Sequence, residues 1–185
     1  MKPLVTYPSF WLSPESTKGY QFESWVVEQF PENHFLLKEW RSDKHIGARF
    51  ADAGKHPDLI FQCKGSKPNT FFAIECKYRT CITDNSPDLV KPYQFKNYRD
   101  FEDSYKIQVF VAIGQGGYPH HPETVSLIPL AQVNSKTNLK KAIKNFTTSD
   151  LTGSLRSLIN NNRLQAIRNV KDEVAIFPVS LRKAK

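Results

Sequence analysis

The sequence has little of what marks membrane or secreted proteins. Its longest charge-free apolar run, IQVFVAIG, is far shorter than the roughly 20 residues that span a bilayer, and the N-terminus lacks the apolar stretch of a signal peptide. The chain has 3 cysteines, an odd number without paired spacing, which fits free thiols in a reducing compartment better than a disulfide framework. We therefore expect a cytoplasmic protein without membrane contact.

Acidic residues are scarce relative to basic ones. The chain has 18 Asp and Glu against 26 Lys and Arg, a formal net charge of +8 and a pI near 9.4. Such a balance favours a polyanionic partner, and nucleic acid is the leading candidate. Charge alone supports an ordinary basic protein equally well, because it reports on partners and not on fold.

Length and composition predict one domain. With 185 residues, 39% hydrophobic and 12% aromatic, the chain can bury a full core. We expect a single domain over 1–185, which divides into a proline-rich surface arm (1–16), a core (17–130) and a C-terminal elaboration with a basic tail (131–185).

The order of elements indicates an α/β protein. Apolar periodicity predicts a helix over 17–30 with a stripe of Tyr20, Val27 and Phe30, and a second helix that begins near Pro92. Strands are predicted over 34–40, 57–63, 70–79, 106–114 and 124–130, the fourth of them buried on both faces. The order is αβββαβ plus one strand. Weaker patterns suggest helices over 138–146 and 151–167 and a strand over 173–179.

Two strands of the predicted hairpin carry charges where a core pattern is expected. Glu75 and Lys77 are two apart and share a face, and a turn near Lys67 places Asp58 opposite them. Two crowded carboxylates repel unless a cation lies between them, and Mg²⁺ is typically held by one or two carboxylates. The alternative is a solvated ion pair, but the strands are otherwise apolar.

Both helices turn polar side chains inward. Glu23 lies within the stripe of the first helix and should face the sheet, either as a further metal ligand or paired with a base at the edge of the core. Gln94 shares a stripe of the second helix with Tyr98, and it faces the sheet or caps the end of its helix.

These residues resemble the PD-(D/E)xK nucleases, a restriction-endonuclease-like superfamily. The similarity covers about 17–130 and rests on Pro57-Asp58, Glu75-Cys76-Lys77, the GYQFE that ends at Glu23 and the QFKNY of 94–98. The resemblance implies a mixed central sheet flanked by helices around an αβββαβ core.

The resemblance also implies roles for single residues. Asp58 and Glu75 would bind catalytic Mg²⁺, or Mn²⁺ as a substitute, with the Cys76 carbonyl as a further ligand and Glu23 in support. Lys77 would position the attacking water. Gln94 and Tyr98 are similar to a motif that positions DNA or the site lysine.

Basic residues of the 41–55 connection are candidates for contacts with the DNA backbone, or are ordinary solvated loop residues: Arg41, Lys44, Arg49 and Lys55. His120 and His121 are adjacent and lack zinc spacing, so they are interpreted as a surface loop.

Together these features predict a Mg²⁺-dependent DNA endonuclease of restriction, defence or repair. A homodimer is compatible with that reading. Two alternatives stay open at this stage: a nucleic-acid-binding or assembly module on the same fold that does not cut, and a basic scaffold whose hairpin motif is accidental.

Overall fold

The structure is a computed structural model of the chain, and it describes residues 14–41, 56–64, 70–83, 90–133 and 139–160. The elements follow as α1 (Pro14–Glu28), β1 (Phe35–Trp40), β2 (Leu59–Cys63), β3 (Thr70–Arg79), α2 (Pro92–Tyr105), β4 (Gln108–Gln115), β5 (Thr124–Pro129), a 3-10 turn (Leu130–Gln132), α3 (Leu139–Phe146), β6 (Thr147–Thr148) and α4 (Leu151–Asn160). The predicted αβββαβ order is confirmed.

The strands form one mixed sheet in the order β1-β2-β3-β4-β5-β6. All neighbours run antiparallel except β3 and β4, which run parallel and are joined by α2. A parallel pair needs a crossover connection, and a helix is the usual one. The predicted α/β class, with a mixed sheet flanked by helices, is therefore confirmed.

Each face of the sheet packs against helices. On one face α1 and α4 cover an aromatic core in which Phe72 of β3 meets Phe30, Phe61 and Phe110. On the other face α2 and α3 cover Ala73, Val109 and Val111 with their neighbours. The strand β4 is buried at six consecutive positions, as its uninterrupted apolar run predicted.

The first helix differs from its prediction in start and face. It begins at Pro14, inside the predicted arm, because proline is tolerated in a first turn; residues 1–13 lie outside the described ranges. Its buried side is Phe22, Glu23 and Val26. Of the predicted stripe, Phe30 is buried, whereas Tyr20 and Val27 are only half-buried. The inward position of Glu23 is confirmed.

Smaller differences lie at strand ends and in the C-terminal part. β2 begins at Leu59, so Asp58 stands just before it and not within it. The short β6 was not predicted. The helix predicted over 151–167 is described as far as Asn160, and the strand predicted over 173–179 lies outside the described residues.

Within the described part of the chain, the structure contains no helix with the length and apolar character needed to cross a membrane.

Gly114 of β4 makes the closest backbone approach to α1. A Cβ atom there would lie 2.5 Å from Cε2 of the fully buried Phe22 ring. We expect Gly114→Ala to lower the free energy of unfolding by about 1–3 kcal/mol, since an overpacked core must shift its side chains. Urea denaturation followed by circular dichroism measures the change.

Gly19→Ala is the matched control, because a Cβ at this position of α1 meets no atom within 4 Å. Its expected effect is a gain of up to about 1 kcal/mol from helix propensity. Equal shifts in the two variants would contradict the proposed clash.

Candidate active site

The register of the hairpin brings two carboxylates side by side. β2 and β3 pair through Leu59 and Ile74, so the next position places Asp58 beside Glu75. The Cys76 N–H donates to Oδ2 of Asp58 over 2.8 Å, and the Arg41 N–H donates to the Asp58 carbonyl over 2.7 Å. Asp58 is thus fixed between the end of β1 and the middle of β3.

Glu75 and Lys77 point to the α2 face of the sheet, as does Ala73 two residues earlier. Glu75 is 2% exposed, and its Oε1 accepts a hydrogen bond from the Lys77 ammonium. Its second oxygen, Oε2, is buried and makes no hydrogen bond of good geometry, although the phenol of Tyr98 approaches the Glu75 carboxylate closely enough for their interaction to raise the pKa of the phenol. A buried carboxylate oxygen without a good hydrogen bond is costly, and a positive ligand would relieve that cost.

The carboxyl group of Asp58 is destabilised in its charged form. Burial is the largest cause of its raised pKa, followed by the negative charges of Glu75 and Glu23. Lys77 and the hydrogen bond from Cys76 act in the opposite direction but do not prevail. Three carboxylates therefore act on this region together with one ammonium group.

Lys77 is a cation in this setting. Burial alone would lower its pKa, but the charges of Glu75 and Asp58 and the hydrogen bond with Glu75 outweigh that effect, so the pKa is raised. The lysine therefore offers a hydrogen-bond donor and a positive charge at this point of the hairpin.

Glu23 reaches the site from the opposite face of the sheet. It belongs to α1, is 6% exposed, and accepts a hydrogen bond of 2.8 Å from the indole N–H of Trp40. Trp40 packs against the core that α1 covers, whereas Glu75 faces α2. Glu23 contributes negative charge near Asp58, as the pKa shift of Asp58 shows.

The predicted set of three carboxylate ligands is therefore not assembled. Within the described ranges, no group of three or more His, Cys, Asp and Glu side chains is placed to hold a metal ion. Periodicity predicted correctly that Glu23 points inward, but the sheet separates it from Glu75. The indole of Trp40, distant in sequence, was missed as its partner, and no local pattern could have indicated it.

Cys76 carries a protonated thiol. Burial, and then the charges of Asp58, Glu23 and Glu75, raise its pKa well above the usual value. A neutral thiol is a poor metal ligand, so a role for Cys76 in metal binding would fall to its backbone carbonyl, as predicted.

The two positions predicted to orient the substrate lie on α2. Tyr98 is 1% exposed, and burial followed by the charges of Glu75 and Asp58 raises the pKa of its phenol, which stays protonated. Oε1 of Gln94 accepts a hydrogen bond from the Lys91 N–H and caps the start of the helix. Tyr98 therefore adjoins the site, and Gln94 is a helix-end amide.

Of the four predicted DNA contacts, the structure describes one. Arg41 follows β1 and its Nε donates to Oε1 of Glu39 over 2.6 Å, so part of its charge is compensated. Lys44, Arg49 and Lys55 lie outside the described residues.

The donor set at the hairpin suits a hard divalent cation. Asp58 and Glu75 offer carboxylate oxygens on neighbouring strands, and Oε2 of Glu75 makes no hydrogen bond of good geometry. Mg²⁺ prefers such oxygens and completes its shell with water and substrate phosphate, so two protein carboxylates are sufficient.

Similarity to known proteins is found among solved structures and not at the level of sequence. Neither a family model nor a curated protein matches the sequence. Among solved structures, the chain is similar to Hjc, a Holliday junction resolvase from the archaeal hyperthermophile Archaeoglobus fulgidus, with 16% identity and a TM-score of 0.43 over 75% of this chain and 93% of that one. The assignment of roles here rests on the contacts within this chain.

The unfavourable ionisation of Asp58 leads to a prediction about stability. Asp58→Asn keeps an acceptor for the Cys76 N–H and removes the repulsion from Glu75 and Glu23. In metal-free buffer at pH 7 we expect the free energy of unfolding to rise by more than the roughly 0.5 kcal/mol typical of a surface substitution, because the charged carboxylate opposes folding. Urea denaturation measures it, with Asp100→Asn on the exposed side of α2 as the control.

The pH dependence of this gain follows from the sign of the shift. A pKa that is higher in the folded than in the unfolded chain means that ionisation destabilises the fold, so the gain is full above the folded pKa. It disappears below the unfolded value of about 4, where both states are protonated. A difference that grows as the pH falls would contradict this reading.

Proposed function

We propose that the protein is a metal-dependent nuclease that hydrolyses phosphodiester bonds of DNA. The observation that carries the proposal is the buried carboxylate of Glu75 beside the carboxylate of Asp58, with the Lys77 ammonium at the same point of the hairpin. Two carboxylates and a cationic donor, gathered within an apolar sheet at the cost of repulsion, are typical of a catalytic site.

Asp58 and Glu75 would hold Mg²⁺, with the Cys76 carbonyl as a further ligand. When bound, the metal supplies a Lewis acid that polarises the phosphodiester group and lowers the pKa of water. Two buried carboxylates side by side favour this interpretation over a structural ion pair, for which the Lys77 ammonium needs only one carboxylate partner.

The residues around these ligands keep them in place. The Cys76 N–H fixes the orientation of Asp58, and the Trp40 indole holds Glu23 on the far face. The phenol of Tyr98, which stays protonated, is buried on α2 close enough to Glu75 for that carboxylate to raise its pKa. Such support is what a preorganised site requires.

Lys77 provides the positive charge that phosphoryl transfer needs. Negative charge grows on the phosphate oxygens as the water oxygen bonds to phosphorus, and a fixed ammonium stabilises that charge. Lys77 is held by Glu75 and remains protonated, so it can donate to a phosphate oxygen without a prior proton transfer.

The proposed substrate is DNA, and the proposed class is an endonuclease of restriction, defence or repair. The net charge of +8 favours a polyanion. A DNA-binding module that does not cut is the alternative, and in that case the Lys77–Glu75 pair would be a structural contact only.

Metal binding is tested without activity. Mg²⁺ that binds only the folded protein stabilises it by about 1.4 kcal/mol at ten times its Kd. We therefore expect Mg²⁺ to raise the Tm of the wild type and to have little effect on Asp58→Asn, with Asp100→Asn behaving as the wild type. Equal shifts in all three proteins would show that the ion acts elsewhere.

Cleavage is tested with supercoiled and linear DNA in Mg²⁺, Mn²⁺ or EDTA. We expect metal-dependent nicking by the wild type and a rate about 100- to 1,000-fold lower for Lys77→Met, the usual loss when one transition-state donor is removed. Lys96→Met, on an exposed position of α2, should retain the wild-type rate.

Asp58→Asn separates catalysis from folding in the same assay, because it should be inactive although it is more stable than the wild type without metal. If the folded wild type binds DNA but cleaves neither supercoiled nor linear DNA, the protein is a non-catalytic DNA-binding module and not a nuclease.

A further inference from the structure

The connection between β4 and β5 presents two stacked rings to solvent. Tyr118 is 69% exposed, and the imidazole of His120 lies parallel to it, with ring centroids 5.6 Å apart and an interplanar angle of 20°. The sequence pattern had indicated a surface loop at His120, and the structure confirms that position. An exposed aromatic pair leaves one ring face available for a further planar group.

The turn that carries the rings is held by several independent contacts. The Tyr118 N–H donates to the His121 carbonyl over 3.2 Å, and the His121 N–H donates back over 2.9 Å. The Tyr78 hydroxyl donates to the Gly117 carbonyl over 2.7 Å. Gly117 has a φ of 58°, and a Cβ there would lie 2.7 Å from the His121 carbonyl oxygen. The backbone that carries the rings is therefore held in one conformation, which lowers the entropic cost of binding.

The turn leaves the sheet at the end where the candidate site lies. β3 and β4 run parallel, with Lys77 beside Ile113 and Arg79 beside Gln115. The Gly116 N–H then donates to the Arg79 carbonyl over 3.1 Å. The paired strands thus end two residues beyond Lys77, or about 7 Å along the strand, and the turn begins at the next residue, Gly116.

Exposed aromatic rings are concentrated at this end. The structure exposes three large hydrophobic side chains within its described ranges. Tyr118 is one, and Tyr93, 56% exposed with the Lys91 ammonium 6.0 Å from its ring centroid, is in the first turn of α2, which starts where β3 ends. The third, Leu36, lies on β1 at the opposite end of the sheet.

We propose that the Tyr118–His120 pair is a stacking platform for an unpaired nucleobase of the DNA that enters the site. The inference rests on the proposed function, since it assumes that DNA is the substrate. Base stacking on aromatic side chains tolerates any base, because every base has a π-face, and the cation Arg79, whose carbonyl accepts the Gly116 N–H, suits the phosphates of the same strand. Bases within a duplex are already stacked, so the platform favours DNA with single-stranded segments over fully paired DNA.

The test measures binding to the full chain in EDTA, where cleavage does not proceed. The probes are a single-stranded oligonucleotide that contains 2-aminopurine and the fully paired duplex of the same sequence. We expect Tyr118→Ala to weaken single-strand binding about tenfold and to abolish the quenching of 2-aminopurine fluorescence, with less than about a twofold effect on the duplex. Tyr118→Phe keeps the ring and should retain both signals.

Leu36→Ala, at the opposite end of the sheet, is the matched control for loss of an exposed hydrophobic side chain. Wild-type protein that does not quench 2-aminopurine, or equal weakening of single-strand and duplex binding by Tyr118→Ala, would overturn the proposal. An unchanged affinity of Tyr118→Ala for the single strand would do so as well, and would leave a protein partner as the occupant of the surface.

Cleavage assays with Mg²⁺ on the same proteins keep the two proposals apart. Quenching of 2-aminopurine without DNA cleavage would support the stacking platform and contradict the proposed nuclease activity. Cleavage without quenching would support the nuclease and contradict the platform.

Discussion

The hydrogen bond from the Cys76 N–H to Asp58 fixes the geometry on which the site depends. Backbone pairing of β2 with β3 stops at Leu59 and Ile74. Beyond this pair, the Asp58 side chain accepts the hydrogen bond from the Cys76 N–H. This contact sets both the position of Asp58 and the register at which Glu75 passes it. A slip of one residue would turn Glu75 toward the α1 core and put the Cys76 side chain in its place, because side chains alternate along a strand. The charged site and the apolar cores are thus fixed by the same register.

The aromatic core stabilises the fold against the repulsion between the carboxylates at the site. The pKa of Asp58 is raised by burial and by neighbouring carboxylates, which shows that the charged site opposes folding. On β3, three residues before Glu75, Phe72 is buried among Phe30, Phe61 and Phe110. Each buried phenylalanine contributes about 1.5–3 kcal/mol, and four of them pack together on this face of the sheet. Stability given up at a functional site in this way is common in enzymes.

Local signals in the sequence predicted elements well and contacts between elements poorly. The bounds of β3 and α2 agree with the structure, because β-rich composition and Pro92 mark them within a few residues. The alignment of Asp58 with Glu75 was also predictable, since a hairpin register follows from its turn. Periodicity showed that Glu23 points inward, but which face of the sheet a helix covers depends on chain topology. Its Trp40 partner is 17 residues away, and no periodic pattern extends that far.

A single parallel pair of strands explains why so many polar and aromatic groups lie at one end of the sheet. Because β4 runs parallel to β3, α2 has to start at the end where β3 stops, and the turn after β4 leaves at that same end. The crossover therefore brings Tyr93 and Tyr118 to the end of the sheet toward which Lys77 lies. If β4 ran antiparallel to β3, its following turn would emerge at the far end, near Leu36, and the exposed rings would be a full strand length from the carboxylates. The direction of one strand thus couples the candidate catalytic groups to the surface proposed to bind the base.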